Sequence, residues 1–263
     1  MKTIAVIPIH NEERTLADVL SRTIPRVDLL VCVNDGSKDG SLAILERFAG
    51  KTSGLFILDL AENLGMAGAL EQGLLFVLYM RSRKAVSGED VVVTIDADGQ
   101  HRPEYIPPIL RYMRRQKADL VLTRRDFSIY PRYKIWGNRF LTWTGSILSG
   151  KNYRDVESGL RFLKVKTLEP ILRYYTGVKY SCAQEIALVS ARAGFRIDND
   201  YLVAIDRYRP GTTVWDGFIV LFMSLLAFAK WKLGIVRKVV FDTPLQRRSY
   251  HEREGRRPRR KKR

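Results

Sequence analysis

The chain has 263 residues, of which 46% are hydrophobic and 28% are charged. This is enough apolar material to bury a sizeable core, so a disordered chain, a disulfide-stapled miniprotein and a collagen-like rod are excluded. Its 45 Lys and Arg residues outnumber its 28 Asp and Glu residues and leave a formal net charge of +17, which favours an anionic partner such as nucleic acid or a membrane surface.

Short apolar runs alternate along the first half of the chain with amphipathic stretches. Strands buried on both faces are predicted for Thr3–Ile7, Leu29–Val33, Leu55–Leu58, Val91–Ile95 and Leu120–Thr123. Helical spacing of apolar residues predicts helices around residues 16–20, 42–48 and 70–78. This alternation predicts an α/β domain with a Rossmann-like, mostly parallel sheet flanked by helices, whose ligands bind at the carboxyl ends of the strands.

The alternation weakens beyond residue 126. The aromatic and basic stretch over residues 130–147 is typical of a lid or of a helix at a membrane interface. Further along, the pattern predicts a strand over Ser158–Leu163, a helix over Cys182–Ala193 and a strand over Tyr201–Ile205.

Thirteen consecutive residues near the end, Gly217–Ala229, carry no charge. A bilayer span needs about 20 residues, so we expect an amphipathic helix that lies in the membrane interface, with Trp215 and Trp231 at its ends. A buried core helix or a dimer helix is the alternative. The last segment, Arg247–Arg263, holds ten basic and two acidic residues and is expected to be a disordered tail that binds anionic lipid or nucleic acid.

The N-terminus and the two cysteines bear on the compartment. The apolar run Ile4–Ile9 is short and is followed at once by polar residues, which is not typical of a signal peptide. Cys32 and Cys182 are too few for a disulfide framework and lack the spacing of a zinc site, so both are expected to be buried thiols. We therefore expect a protein of the cytoplasm.

An acidic motif follows the fourth predicted strand. Asp96, Asp98 and Gln100 offer oxygen atoms at alternating positions, which suits Mg²⁺ or Mn²⁺ shared with a substrate diphosphate. An Asx turn that caps a helix starting near Pro103 is the alternative.

The segment Asn34–Gly40 follows the second predicted strand. Its acidic spacing resembles an EF-hand calcium loop, but such a loop leaves a helix, whereas a strand precedes this one. We interpret it as a strand-to-helix loop in which Asp35 accepts hydrogen bonds from a nucleoside.

Six motifs occur in order along the chain: Pro8-Ile-His-Asn-Glu12, Asn34-Asp-Gly-Ser37, Asn63-Leu-Gly65, Asp96-Ala-Asp-Gly-Gln-His101, Ser158-Gly-Leu-Arg161 and Gln184-Glu185. Together they resemble the family 2 inverting glycosyltransferases, in particular the dolichyl-phosphate mannosyltransferase-like branch. The resemblance covers roughly residues 1–210 and implies the GT-A fold, which binds nucleotide sugars.

The resemblance also implies roles for individual residues. The nucleoside pocket would be lined by Pro8, His10, Glu12, Val33 and Asp35. The nucleotide sugar would be contacted by Asp96 and Ala97, and the metal ion would be held by Asp98 and Gln100 beside Asp96. The phosphates of donor or acceptor would be met by Arg124, Arg207 and Arg209. The sequence departs from the family pattern at His10, where Tyr is commoner, at Asn34, which replaces an Asp, and at Val214, near a frequent Lys.

These assignments imply four segments. A GT-A domain would occupy residues 1–212, with a nucleotide-sugar half over 1–125 and an acceptor half over 126–212. An amphipathic interfacial segment would follow over 213–246, and the polybasic tail would occupy 247–263.

The activity implied by the resemblance is an inverting, metal-dependent transfer of a hexose, with mannose favoured over glucose, from a GDP- or UDP-sugar to dolichyl or polyprenyl phosphate. The enzyme would act as a peripheral protein at the cytoplasmic face of the cell membrane. Because a lipid phosphate is already anionic, catalysis would rest on Asp98 with its ion and on Arg124, which stabilise the leaving diphosphate.

Two alternatives remain. The same donor chemistry on a saccharide or lipid hydroxyl would require a general base, for which Glu185 is the candidate. A non-enzymatic module that binds polyanions through its basic tracts is the alternative from another class.

Overall fold

A computed structural model describes residues 1–205 and 213–240 of the chain. Its main sheet contains β1 (Thr3–Ile9), β2 (Leu29–Asp35), β3 (Leu55–Leu60), β4 (Val91–Thr94), β5 (Leu120–Leu122), β7 (Arg161–Lys164) and β8 (Ile197–Asp198). Two further strands, β6 (Arg124–Arg125) and β9 (Leu202–Val203), pair in parallel with each other. The main sheet has the order β3-β2-β1-β4-β7-β5-β8.

The strand order reverses beside β1. The chain moves outward from β1 through β2 to β3 and then returns to place β4 on the other side of β1, all in parallel. Only β7 runs antiparallel to its neighbours β4 and β5. The predicted mostly parallel sheet is thereby confirmed, and its reversal point brings the carboxyl ends of β1, β2 and β4 together, where open α/β sheets bind ligands.

Helices cover both faces of the sheet. They are α1 (Leu16–Thr23), α2 (Ser41–Ala49), α3 (Gly65–Ser82), α4 (Ile106–Arg115), α5 (Arg132–Ser149), α6 (Leu168–Leu172), α7 (Cys182–Arg192) and α8 (Val214–Leu233). Adjacent residues of β1 belong to opposite cores: Val6 lies in the core that also contains residues of α3, α6 and α7, whereas Ile7 lies in the core that contains residues of α1, α2 and α4. A strand that buries both faces has apolar residues at consecutive positions, and for this reason the apolar runs of the sequence predicted these strands.

Three strands extend two residues beyond their predicted ends. β1, β2 and β3 reach Ile9, Asp35 and Leu60, because parallel pairing continues past the apolar run, as in the pairs Ile9 with Asn34 and Asp35 with Leu60. Pairing thus fixes the backbone of Asp35 within the sheet. Both cysteines are buried free thiols, as predicted.

The second half contributes a layer of three helices, because α5, α7 and α8 pack against one another. On α8, Val220, Ser224 and Ala227 are buried, whereas Phe218 and Phe222 are exposed, so the uncharged stretch has one packed and one open face. Within the described residues, no helix is both long enough and apolar enough to cross a bilayer.

Arg192 links these three helices. Its guanidinium on α7 lies 5.3 Å from the ring centroid of Phe228 and 4.9 Å from that of Trp231, both on α8. The same group donates hydrogen bonds to the carbonyl oxygen of Leu148 on α5. Stacking and hydrogen bonding by one arginine therefore hold α8 against the domain.

Candidate active site

A cavity of about 870 Å³ opens at the carboxyl ends of β1, β2 and β4. One part of its lining comes from the first strands and the start of α3, namely Pro8, Ile9, His10, Glu12, Asp35, Asn63, Gly65 and Met66. A second part follows β4, namely Asp96, Ala97, Asp98 and Gln100. A third part comes from β7 and the last helices and includes Arg161, Cys182, Ala183, Phe140, Leu141, Phe218, Val220 and Leu221.

The structure brings most of the predicted site residues to this cavity. Those that line it are Pro8, His10, Glu12, Asp35, Asp96, Ala97, Asp98 and Gln100. Val33 lies inside the sheet and is fully buried, away from the lining. Arg207, Arg209 and the tail over 247–263 lie outside the described residues, as does the predicted domain boundary at residue 212.

Asp35 and His10, which are predicted to contact the nucleoside, lie together in the cavity lining. The Leu64 amide donates to Asp35 Oδ1 at 2.7 Å, and burial raises the pKa of this carboxyl. His10 Nδ1 lies 2.7 Å from the Asp35 carbonyl oxygen, so Nδ1 carries the hydrogen and Nε2 can accept from Asn63 Nδ2 at 3.0 Å. The Asn63-Leu-Gly motif therefore orients the His10 ring at the rim of the cavity.

A glycine shapes the loop after β2. Gly36 has φ +60°, and a Cβ there would lie 2.9 Å from the backbone of Glu62. The two carboxylate oxygens of Asp39 accept from the amides of Glu13 and Ser41. Asp39, one of the acidic residues whose spacing resembles a calcium loop, thus stabilises the start of α2. This agrees with the interpretation of the segment as a strand-to-helix loop.

Asp96 and Asp98 form an acidic pair in the middle of the cavity. The Gln100 amide donates to Asp98 Oδ1 at 2.9 Å, and Gln100 Nε2 donates to Asp98 Oδ2. Burial and the negative charge of Asp96 raise the pKa of Asp98. Burial also raises the pKa of Asp96, while the charges of Arg161 and Arg125 oppose that rise.

This donor set fits a divalent cation. Within the described residues no group of three or more His, Cys, Asp or Glu is arranged to hold a metal ion. Mg²⁺ and Mn²⁺ nevertheless need only one or two carboxylates when substrate phosphates and water complete the shell. Asp96 and Asp98 offer those carboxylates, and a cation between them would relieve their repulsion, whereas Gln100 orients Asp98 through its amide nitrogen.

Of the two neighbouring arginines of β6, Arg125 lines the cavity and the predicted Arg124 does not. Side chains alternate along β6, so Arg124 turns away and its buried Nε has no partner among the described residues. Arg125 Nε and Nη2 donate to the two oxygens of Asp155 at 2.9 and 3.0 Å, and Nη2 also donates to Asn138 Oδ1 at 2.7 Å. Asp155 stands three positions before Ser158, and no local sequence pattern pairs it with an arginine 30 residues away.

Glu157 lines the cavity, whereas Glu185, the predicted candidate for a general base, does not. Glu185 is fully buried, and its carboxylate accepts from the Thr176 amide at 2.9 Å and from the Thr176 hydroxyl. It thereby joins α7 to the loop before it. Glu157 accepts from Gln184 Nε2 at 2.8 Å, and burial raises the pKa of its carboxyl.

His101 lies outside the lining and is buried. Burial and the charge of Arg125 lower its pKa to about 4, although the charge of Asp98 opposes this, so the ring is neutral near pH 7. Its position suits packing beneath the acidic motif.

An apolar surface adjoins the cavity on its third side. The α5/α8 surface consists of exposed side chains of these two helices, namely Tyr133, Trp136, Phe140, Trp143, Ile147, Trp215, Phe218 and Phe222. Trp136 is 70% exposed and Phe222 is 61% exposed. Phe140 and Phe218 belong both to this surface and to the cavity lining, so the two are continuous.

Comparison with known proteins agrees with this architecture. The profile of glycosyl transferase family 2 matches residues 4–176. An undecaprenyl-phosphate mannosyltransferase of Micrococcus luteus is 30% identical over 219 residues, which are 79% of this chain and 85% of that protein. A UDP-N-acetylglucosamine:dolichyl-phosphate N-acetylglucosaminyltransferase of Methanococcus voltae is 25% identical over 243 residues, which are 84% and 94% of the two chains.

The fold is shared with a solved structure. The crystal structure of glucosyl-3-phosphoglycerate synthase from Mycobacterium tuberculosis in complex with UDP has a TM-score of 0.64 at 18% identity, over 87% of this chain and 80% of that one. The GT-A fold predicted from the motifs is thereby confirmed. Because the family profile matches more than half of the chain, the protein belongs to glycosyl transferase family 2, and it is a glycosyltransferase.

Proposed function

We propose that the protein transfers a hexose, with mannose favoured over glucose, from a GDP- or UDP-sugar to polyprenyl phosphate with inversion at the anomeric carbon. The observation that carries the proposal is the continuity between a cavity with an acidic pair and the exposed apolar α5/α8 surface. Two relatives support the acceptor, since their names specify undecaprenyl phosphate and dolichyl phosphate. Their sugars differ, so the sugar is a question for experiment.

On the donor side, Asp35 and His10 would bind the nucleoside, and Asp96 and Asp98 would hold Mg²⁺ or Mn²⁺. When bound, such an ion supplies positive charge that stabilises the leaving diphosphate. Arg125, fixed by its two hydrogen bonds to Asp155, adds a second positive charge to the same cavity.

On the acceptor side, a phosphate oxygen would attack the anomeric carbon from the face opposite the nucleotide. The bond between that carbon and the diphosphate oxygen breaks, and its electron pair leaves with the diphosphate. The acceptor phosphate is already ionised near neutral pH, so the step requires no general base. The lipid chain would leave the cavity across the α5/α8 surface, whose exposed rings suit hydrocarbon.

The same surface supports a peripheral position on the cytoplasmic face of the membrane. Tryptophan side chains such as Trp136 and Trp143 favour the boundary between headgroups and acyl chains. The basic tail over 247–263, which lies outside the described residues, would add attraction to anionic lipid.

A hydroxyl acceptor is the second candidate, and the position of Glu157 favours it. This carboxylate lines the cavity, and burial raises its pKa, which makes it a stronger base. Glu157→Gln separates the two candidates, because a general base contributes about 10²–10⁴-fold to the rate, whereas an ionised phosphate acceptor needs none. If Glu185→Gln loses activity and also has a lower Tm, the cause is the loss of the hydrogen bonds between Glu185 and Thr176 and not the loss of a general base.

The decisive experiment offers GDP- and UDP-hexoses with Mn²⁺ to the protein, in parallel with polyprenyl phosphate and with the matching polyprenol. We expect one donor to give a glycosylated polyprenyl phosphate of inverted configuration, no product with the polyprenol, and no product after EDTA treatment. Transfer to the polyprenol at a similar rate would contradict the phosphate acceptor. Full activity in EDTA would contradict the role of the ion.

A further inference from the structure

Arg161, the first residue of β7, is a buried cation that forms no ion pair within the described structure, although its charge acts on the nearby carboxylate of Asp96. It lines the cavity with 5% of its surface exposed, and its buried Nε has no hydrogen-bond partner. Among the described residues its guanidinium takes part in no hydrogen bond or ion pair, whereas Arg125, whose side chain is 15% exposed, donates two side-chain hydrogen bonds to Asp155. A buried charge without a bonded partner is costly, which points to a ligand that completes it.

The first turn of α7 opens into the same part of the cavity. Cys182 and Ala183, its first two residues, line the cavity, and the side chain of Ser181 makes no capping hydrogen bond. Within the described part of the chain, neither amide of these two residues has an acceptor. The free amides and the helix dipole make such a helix start attractive to anions.

Arg161 and the start of α7 lie close to each other in the cavity lining. Burial raises the pKa of the Cys182 thiol to about 11, and the positive charge of Arg161 is the first effect that opposes the rise. Gln184, in the first turn of α7, donates to the Leu141 carbonyl oxygen on α5 at 2.8 Å, so the helix start adjoins the apolar wall of the cavity.

From these two features we infer that Arg161 and the first-turn amides of α7 bind the phosphate group of the acceptor. The inference rests on the proposed transfer to polyprenyl phosphate and names the chain's own groups for that substrate. The donor diphosphate has the cation at Asp96 and Asp98, whereas a phosphate beside α7 has apolar side chains of α5 and α8 along which its lipid can run. Two carboxylates, Asp96 and Glu157, also face this region. A bound cation would offset the negative charge of Asp96, and Gln184 donates a hydrogen bond to Glu157.

The test compares Arg161→Gln and Arg161→Lys with the wild type. A short-chain prenyl phosphate and the corresponding prenol are titrated by calorimetry in the presence of UDP and Mn²⁺, and UDP is titrated alone. We expect Arg161→Gln to weaken prenyl phosphate binding by at least about tenfold, which is about 1.4 kcal/mol, with UDP affinity within about twofold of the wild type. Arg161→Lys should recover part of the loss, because it restores the charge but not the fork of donors.

The matched control is Arg114→Gln, which removes one exposed cation on α4 and should bind both ligands as the wild type does. Melting temperatures report whether each variant folds. If Arg161→Gln does not fold, the wild type alone remains informative through ³¹P NMR of inorganic phosphate, which prenyl phosphate should displace.

The outcomes separate this inference from the proposed function. Unchanged prenyl phosphate affinity in a folded Arg161→Gln, with transfer intact, overturns the anion site while the proposed function stands. Loss of UDP affinity instead of prenyl phosphate affinity overturns the assignment to the acceptor. Arg161-dependent binding of inorganic phosphate without transfer to any polyprenyl phosphate supports the anion site and contradicts the proposed function.

Discussion

At the scale of single residues, the absence of a side chain at Gly159 leaves the space that the carboxylate of Asp96 occupies. A Cβ at this position would lie 2.0 Å from Asp96 Oδ2, so the carboxylate occupies the space that any other residue would fill. The glycine of the Ser158-Gly motif is therefore explained by close approach to the acidic pair.

We expect Gly159→Ala to lower kcat/KM by about a hundredfold, because displacing a catalytic group by about 1 Å has effects of that size. Overpacking should also lower the stability by about 1–3 kcal/mol. Steady-state kinetics and thermal unfolding measure both. Gly50→Ala is the matched control, since its new Cβ would come no closer than 3.6 Å to another atom. Full activity in folded Gly159→Ala would show that Asp96 need not lie where it does.

Asp98 couples metal binding to pH. Because its pKa is raised in the folded protein, its contribution to stability is present at low pH and is lost as pH rises through the raised value. At pH 7 without metal, Asp98→Asn should therefore raise the Tm by about 2–4 °C, the effect of about 1 kcal/mol in a chain of this size. The difference should shrink as pH falls toward the ordinary pKa of an aspartate.

With Mn²⁺ and UDP added, the wild type should have a higher Tm than Asp98→Asn, because only the wild type retains both carboxylates for the ion. Scanning fluorimetry at several pH values, with and without Mn²⁺, makes both measurements. A metal-free Asp98→Asn that is less stable than the wild type at pH 7 would contradict the repulsion between the two aspartates.

At the scale of elements, the register of a strand and the rotation of a helix decide which predicted residue reaches the cavity. Arg124 and Arg125 are neighbours on β6, and alternation puts only one of them in the lining. On α7, Cys182 and Ala183 face the cavity while Glu185 bonds to Thr176. The sequence pattern located α7 and did not predict β6, and in neither place could it tell which side chain faces the cavity.

The α5/α8 surface gives a prediction for membrane binding. Replacing Trp143 and Phe222 together by serine should weaken binding to lipid vesicles by about tenfold, because two exposed rings are removed from the interface. Activity on vesicle-embedded acceptor should fall in parallel, and UDP affinity should not change. Vesicle sedimentation and calorimetry measure these effects.

Leu202→Ser, which removes an exposed apolar side chain on β9, is the matched control. If the double variant binds vesicles as the wild type does, the α5/α8 surface serves another contact, such as a second copy of the chain.

At the scale of the whole molecule, the net charge of +17 predicts salt-dependent attachment to anionic vesicles. Raising NaCl from about 0.1 to about 1 M shortens the screening length from about 10 to about 3 Å and should weaken binding severalfold. Deleting residues 247–263, which carry +8 by the difference of ten basic and two acidic residues, should flatten this dependence. Turnover of a short-chain acceptor in detergent should survive the deletion; its loss would give the tail a catalytic role.

The sequence alone determined the alternating architecture, the acidic motif after β4 and the family, because buried strands, helical spacing and motif order are local properties of the chain. Only the tertiary structure decided that Arg125 and Glu157 line the cavity and that Arg161 is buried there without a bonded partner. The physical reason is that side-chain direction depends on strand pairing and on how each helix is rotated against its neighbours. Contacts between residues far apart in the chain set both.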